Sequence, residues 1–246
     1  MAKHNFSASG AWHQDPVSIS VFFPCYNEQD NIERVVRRAT DVLGEIGADF
    51  EVIIVDDGSA DQTGRIADSL AAANGRVRVV RHPRNLGYGA AVQSGFRSAT
   101  KQLVFFTDGD GQFDIGEMPA LLPLMERYDI VCGYRLNRRD PIIRRLNGWL
   151  WTKLVCFLFG MNSRDIDCAF KLFRRNVVAN MRLSSSGALI SAEILARATR
   201  SGCKITQAGV HHYPRTAGKQ TGAKLKVILR AFKELFSLYN RIRKGQ

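Results

Sequence analysis

Two aspartates separated by one glycine, Asp108-Gly109-Asp110, carry the most legible chemistry in the chain. They follow Leu103-Val104-Phe105-Phe106-Thr107, an apolar run of strand length, and a carboxamide, Gln112, stands two residues beyond them. A buried strand accounts for the apolar run, but nothing in strand packing asks for the acids. Two hard oxygen ligands on a tight turn suit a divalent cation of the magnesium type, which takes few protein carboxylates and fills its shell from substrate phosphates. Gly109 is expected to let the backbone bend between them. A functionless acidic turn has the same look, so the remainder of the chain must discriminate.

The elements that would position such a turn are readable from periodicity. Residues 17–23 read as a buried strand ended by Pro24-Cys25-Tyr26-Asn27-Glu28, and residues 30–46 as a polar helix. Residues 50–55 form a second strand closed by Asp56-Asp57-Gly58-Ser59, followed by a helix over 61–74. Val77–Arg81 makes a third strand, and Asn85-Leu86-Gly87-Tyr88-Gly89 leads into a small-residue helix reaching about Ala99. Leu103–Thr107 is the fourth strand and residues 129–132 the fifth. Short strands alternating with helices imply an α/β fold, a mostly parallel sheet covered on both faces. Ligands of such sheets bind beyond the carboxyl ends of the strands. Glu28, the Asp56-Asp57 pair and the Asp108/Asp110 pair all fall there, and their mutual repulsion calls for a cation or a hydrogen-bonding ligand. Taken alone, Asp57-Gly58-Ser59 would be a turn with a helix N-cap. No G-x-G-x-x-G follows the first strand and no Walker A lysine follows a glycine-rich loop, which excludes both common nucleotide-binding fingerprints.

With 246 residues and 45% hydrophobic content, the chain can bury the core of a single globular domain. Its five cysteines are scattered without metal-ligand spacing, as expected of core thiols in a reduced, cytosolic protein. Residues 1–16 are polar with no apolar h-region, so a flexible tail is expected there rather than a signal peptide. No run reaches the ~18 apolar residues of a membrane span. The 35 basic against 23 acidic residues leave +12, which favours an anionic partner: nucleotide, nucleic acid or lipid surface.

Taken in order, Pro24-Cys25-Tyr26-Asn27-Glu28, Val55-Asp56-Asp57-Gly58-Ser59, Asn85-Leu86-Gly87 and Asp108-Gly109-Asp110-Gly111-Gln112 resemble the family 2 glycosyltransferases of GT-A fold, and more closely the polyprenol-phosphate (dolichol-phosphate) sugar transferases. The resemblance runs from Val17 to about Leu235. It implies that Pro24, Tyr26, Glu28, Val55 and Asp57 hold the donor nucleoside. It implies that Asp108, Gly109 and Asp110, with Gln112, hold Mg2+ or Mn2+ and the donor diphosphate. Cys132-Gly133-Tyr134-Arg135 is similar to the family's G-S-R, with Tyr134 in place of serine, which makes Arg135 a residue meeting acceptor phosphate. Arg138, Arg139, Arg144 and Arg145 follow, and several guanidinium groups beyond a metal site suit a second phosphate, Arg144 and Arg145 foremost. Residues 165–171 resemble the D-x-x-S/C-G-F-K/R motif, with Ala169 replacing glycine; Asp165, not Asp167, matches its acidic position and joins the catalytic set. Ser191-Ala192-Glu193 resembles a stretch carrying an acidic residue, with a surface glutamate as the plain alternative. His211 and His212 belong to a segment resembling R-x-x-G-x-S/T. On a strand they point to opposite faces, so they are read as a donor-site or sheet feature, not a metal site.

Two segments could meet a membrane. Residues 146–161 are short but rich in aromatic side chains, and residues 223–246 interleave a helical apolar stripe, including Phe232 and Phe236, with lysines and arginines, as an interfacial helix does. Packing on the domain or on a second copy is the alternative. The domain limits that follow are a tail over 1–16, a GT-A domain over 17–222 and a C-terminal basic helix over 223–246.

The function implied is inverting transfer of a hexosyl group from a nucleotide-diphosphate sugar (GDP-mannose, UDP-glucose or UDP-GlcNAc type) to dolichyl or undecaprenyl phosphate. It would occur at the cytoplasmic face of a membrane, in cell-envelope glycan synthesis, alongside a separate membrane protein or a second copy of the chain. A saccharide or other lipid acceptor, and a basic nucleotide-binding module without turnover, are the alternatives. A hydroxyl acceptor would need a base, which an already ionised phosphate does not. No nucleic-acid motif accompanies the charge, and no nucleic-acid partner is expected.

Overall fold

The structure, a computed structural model, describes residues 16–136, 142–215 and 225–243; the side chains of 142–144 and 225–233 lie outside the description. In chain order the elements are β1 (Ser18–Cys25), α1 (Ile32–Glu45), β2 (Asp49–Asp56), α2 (Thr63–Ala73), β3 (Val77–Arg81), α3 (Tyr88–Ser98), β4 (Leu103–Thr107) and a 3-10 segment (Ile115–Glu126). There follow β5 (Ile130–Leu136), α4 (Ile142–Phe159), β6 (Phe170–Arg174), α5 (Arg175–Ala179), α6 (Ile190–Arg200), β7 (Ile205–His211) and α7 (Leu225–Arg243).

These strands form one seven-stranded sheet in the order β3-β2-β1-β4-β6-β5-β7. Its paired neighbours run parallel except at β6, which is antiparallel to both β4 and β5. Side chains alternate between the faces of a strand, and the chain supplies apolar residues to both. Ile19, Val21, Phe23 and Phe105 face α1 and the 3-10 segment; Phe22, Ile53, Val104 and Phe106 face α3, α4 and α6. Helix α1 covers its face with Ile32, Val35, Val36, Ala39, Val42 and Leu43, the stripe expected of period 3.6. On the other face Phe22, Phe96, Phe106 and Phe173 form an aromatic cluster with ring centroids 5.1–6.0 Å apart. All five cysteines are unpaired thiols.

The first four strands fall where periodicity puts them. The fifth differs: it continues past Cys132 to Leu136, because parallel pairing with β7 extends to Leu136↔His211. Arg135 is therefore a strand residue, not a loop residue. The antiparallel β6 has a second consequence. Its start, at Phe170, pairs with Thr107 at the end of β4, so the chain just before it arrives at the rim where β4, β5 and β7 finish.

Candidate active site

The sheet order reverses between β1 and β4, the switch point where open α/β sheets bind ligands. Asp108 and Asp110 leave β4 at that point. Asp108 Oδ1 accepts a hydrogen bond from the Tyr88 hydroxyl at 2.9 Å, and burial, reinforced by the Asp110 charge, pushes its carboxyl up to about 7. Asp110 Oδ1 accepts from the Gln112 backbone N–H at 3.0 Å, while Oδ2 lies 3.5 Å from Arg215 Nη1. The other arm of that guanidinium donates to Glu28. Glu28 also accepts from Asn31 Nδ2 at 2.9 Å; burial pushes its carboxyl up, against Asn31 and Arg215.

Gly109 is needed for a reason other than the expected one: a Cβ there would stand 2.5 Å from Cys25 Sγ. The positive φ of the turn, 70°, belongs to Gly111. The Gln112 carboxamide nitrogen donates to the Tyr213 carbonyl at 3.0 Å, and Tyr213 N–H returns a 2.8 Å bond to the Gln112 backbone carbonyl, so Gln112 straps the acidic turn to the chain after β7.

The donor set fits a divalent ion. Asp108, whose ionisation is opposed by burial and by the neighbouring Asp110 charge, gains from a cation, and a guanidinium already faces Asp110. No group of three or more His, Cys, Asp or Glu is arranged as a metal site among the described residues. A pair of aspartates is what remains for an ion that draws its other oxygens from a diphosphate.

At the ends of β1 and β2 the picture changes. Asp57 is buried; its Oδ1 meets His82 Nδ1 at 2.6 Å and accepts from Leu86 N–H at 2.9 Å, and its Oδ2 accepts from Gly87 N–H at 2.9 Å, at the amino end of α3. Asp56 accepts from Ser59 N–H at 3.0 Å and from Arg81 Nε at 3.2 Å. These acids are matched by Arg81 and His82, which relieve the repulsion that the sequence alone suggests. Val55 is wholly buried in the core beneath α3, so its side chain does not face the rim. Pro24 lies within β1, paired with Val55, and Tyr26 stands exposed beyond the strand end. Between the two loops Asn27 N–H donates to Ser59 Oγ (3.0 Å), Ala60 N–H to Asn27 Oδ1 (2.8 Å), and Glu28 N–H to Thr63 Oγ1 (2.8 Å). Nothing in the sequence announced this stitching.

The second half of the rim centres on an ion pair. Arg135 clasps Asp165 in a two-pronged contact, Nε–Oδ2 2.6 Å and Nη2–Oδ1 2.8 Å. Burial disfavours the Arg135 charge, yet the bonds and charge of Asp165 outweigh it and raise its basicity. Arg135 is thus charge-paired with Asp165, which fixes the direction in which its guanidinium is aimed. Lys171 is fully buried, and its ammonium donates to the carbonyls of Ile166 (3.0 Å) and Cys168, fixing the loop that carries Asp165 and Asp167. Asp167 reaches solvent while ringed by protein; burial and the Asp165 charge push its carboxyl up, opposed by a hydrogen bond from Trp151 of α4. Glu193, on α6, is buried, not a surface residue. It accepts from Ser184 and Ser185 N–H and from Arg197 Nε, ordering the 184–186 turn whose Ser186 carbonyl accepts from Gly89 N–H of α3. His211 Nδ1 lies 3.2 Å from Glu117, and the His212 ring packs on Phe113.

Arg138 and Arg139 lie outside the described residues, as does the Arg144 side chain; Arg145 is exposed on α4. That helix leaves Leu146, Trp149, Leu150 and Phe157 exposed, Phe157 at 85%. On α7 the described half does the opposite: Leu235, Leu238 and Ile242 are buried, the last two beside Ala196, Phe159 and Met161. Phe236 is exposed, off that stripe, and Phe232 lies outside the described side chains. No described helix is long and apolar enough to cross a membrane.

A mostly parallel α/β sheet with a D-x-D turn at its switch point is the GT-A arrangement of nucleotide-sugar transferases. The profile of glycosyl transferase family 2 matches residues 20–182, and the chain belongs to that family. It is 33% identical over 165 residues to the undecaprenyl-phosphate 4-deoxy-4-formamido-L-arabinose transferase of Klebsiella pneumoniae, covering 66% of this chain and 50% of that one. The chain therefore spans about half the length of such relatives. Among solved structures, glucosyl-3-phosphoglycerate synthase from Mycobacterium tuberculosis with Mn2+, UDP-glucose and phosphoglyceric acid aligns with a TM-score of 0.70 at 19% identity, over 93% of this chain and 80% of that one. The same enzyme with Mg2+ and UDP aligns at 0.68 and 19%, over 91% and 80%. These two likenesses bear on the fold.

Proposed function

We propose that the chain is an inverting glycosyltransferase moving a hexosyl group from a nucleotide-diphosphate sugar to polyprenyl phosphate. The observation that carries this reading is the Asp108/Asp110 pair at the switch point, the ionisation of Asp108 opposed by burial and Asp110 already facing a cation. Asp108 and Asp110 hold Mg2+ or Mn2+, which when bound neutralises the donor diphosphate and eases departure of the nucleoside diphosphate. Tyr88 orients Asp108, and the exposed Tyr26 ring offers a surface for the base. On the other half of the rim Asp165 keeps Arg135 aimed, and that guanidinium, with Arg145, attracts the acceptor phosphate. An oxygen of that phosphate bonds to the anomeric carbon as the bond to the donor's β-phosphate oxygen breaks. An ionised acceptor needs no base, so alignment and charge stabilisation supply most of the rate.

Polyprenyl phosphate as acceptor rests on the Klebsiella relative, whose name specifies undecaprenyl phosphate. Membrane contact is assigned to α4: its apolar residues at 146, 149, 150 and 157 share one helical stripe with Lys153 among them, whereas α7 buries its stripe on protein. In this reading α4 seats the chain at the cytoplasmic surface of a membrane. Asp167 favours a second reading, since a solvent-reaching carboxylate beside the acceptor half could serve as base to a saccharide hydroxyl.

Purified protein with Mn2+ and UDP- or GDP-sugars should be protected from unfolding, by ~2.7 kcal/mol at ~100 times the dissociation constant. It should then glycosylate undecaprenyl phosphate in vesicles. A glycosylated free saccharide would establish the second reading, and the absence of metal-dependent nucleotide binding would overturn both.

A further inference from the structure

We propose that Arg215 is the resident counter-cation of the metal site: in the donor-free protein its guanidinium holds the Asp110 and Glu28 carboxylates, and donor loading exchanges one cation for another. This rests on the reading of Asp108 and Asp110 as metal ligands. The three partners are enclosed, with side-chain exposures of 16% for Arg215, 12% for Asp110 and 10% for Glu28. At that depth neither carboxylate can be left unmatched without a large penalty, so something positive must always stand there. Asp110 Oδ1 already receives the Gln112 N–H. Its Oδ2, the oxygen left for an ion, is the one nearest Arg215. A divalent ion arriving alone competes with that guanidinium for Asp110 Oδ2 and sets its own charge beside an arginine still held by Glu28.

An ion arriving with a nucleoside diphosphate meets a different balance. The diphosphate supplies oxygens whose geometry matches the guanidinium fork, so the Arg215 arm displaced from Asp110 takes up an anion that arrives with the ion. The exchange also needs little motion of the backbone. The Gln112–Tyr213 strap pins the chain two residues before Arg215 to the acidic turn, and His211 N–H is tied to Glu117, leaving the Arg215 side chain as the part that swings. Metal and nucleotide are thereby coupled: each binds better in the presence of the other, because one removes Arg215 from Asp110 and the other receives it.

The test is Mn2+ binding to the full chain, followed by the electron paramagnetic resonance signal of free Mn2+, alone and with UDP or GDP. Wild type should bind Mn2+ weakly alone and gain affinity with nucleotide. Arg215→Gln should bind Mn2+ alone about tenfold more tightly and show a reduced nucleotide enhancement, a size within the ordinary range of site coupling. Arg215→Lys, which keeps the charge, should stay near wild type for Mn2+ alone. If Arg215→Gln, with an unchanged melting curve, binds Mn2+ no more tightly, the exchange is refuted while the metal site stands. Wild type alone suffices for another refutation: Mn2+ binding that is equally tight with and without either nucleotide. Should Mn2+ bind in no arm, nucleotide included, the metal-site reading falls and takes the exchange with it.

Discussion

Two acidic turns stand side by side on the rim, one after β2 and one after β4, and their sequences announce the same thing. In the first, the protein has already answered every oxygen: His82, Leu86 N–H and Gly87 N–H for Asp57, Ser59 N–H and Arg81 for Asp56. In the second, among the described residues, the Tyr88 hydroxyl reaches Asp108 and the Gln112 N–H reaches Asp110, whose other oxygen faces Arg215 on the chain after β7. The first turn holds α3 in place and the second is held ready. Acid count at a strand end therefore says little; how the oxygens are occupied separates architecture from chemistry. The same contrast recurs between α7, whose described stripe is covered, and α4, whose stripe is not.

The largest test of the contrast is Asp57→Ala. It would strand His82 and two backbone N–H groups in the interior, and we expect a loss of about 3–5 kcal/mol in urea unfolding. A variant with wild-type stability but no nucleotide binding would reverse the comparison and restore Asp57 as a ligand. Asp110→Asn should behave the opposite way, folding normally while calorimetry with and without EDTA finds metal-dependent nucleotide binding lost.

Proton linkage sharpens the difference further. In metal-free protein the Asp108 carboxyl is raised from 3.8 to about 7, so the native state holds a proton the unfolded chain releases, and stability should fall as pH rises through that window. Glu193 has the opposite sign: burial opposes its ionisation, but the bonds from Ser184, Ser185 and Arg197 lower its pKa below 4.5. Its contribution is present above that value and vanishes as the medium is acidified. Melting curves in EDTA from pH 4 to 8 should lose the alkaline decline in Asp108→Asn and the acid decline in Glu193→Gln. The smallest stability effect is expected on α4, where Trp149→Ser with Phe157→Ser should change unfolding by no more than about 0.5 kcal/mol per site while releasing the protein from anionic liposomes. Early melting without release would mean that the α4 stripe is covered after all.

The parallel half of the fold was legible because β1 to β4 are continuous apolar runs separated by periodic helices, and both strands bordering the acidic turns ended where those runs ended. β6 is not legible in the sequence: Phe170–Arg174 contains a buried lysine whose partners, the carbonyls of Ile166 and Cys168, are visible only after the loop closes on itself. The Asp108/Asp110 turn stood out in the sequence. The occupancy of Asp57, the turn of Gln112 toward Tyr213 and the pairing of Arg135 with Asp165 did not, since each depends on a partner brought near by the sheet. Val55 shows the limit of a motif. Its neighbours reach the rim, but alternation along the strand points its own side chain into the core.

The insertion of β6 between β4 and β5 has a consequence in time. The first four strands of the sheet order are complete once Thr107 is made, yet until β6 is translated β4 is a bare apolar edge, the kind of strand other chains pair with. Asp110 emerges 105 residues ahead of Arg215, a delay of roughly 5–20 s at ribosomal rates. A nascent chain thus shows its acidic turn, with no arginine opposite, well before β7 docks; its sticky edge is covered once β6 is made, and the charge of Asp110 is met only once Arg215 follows.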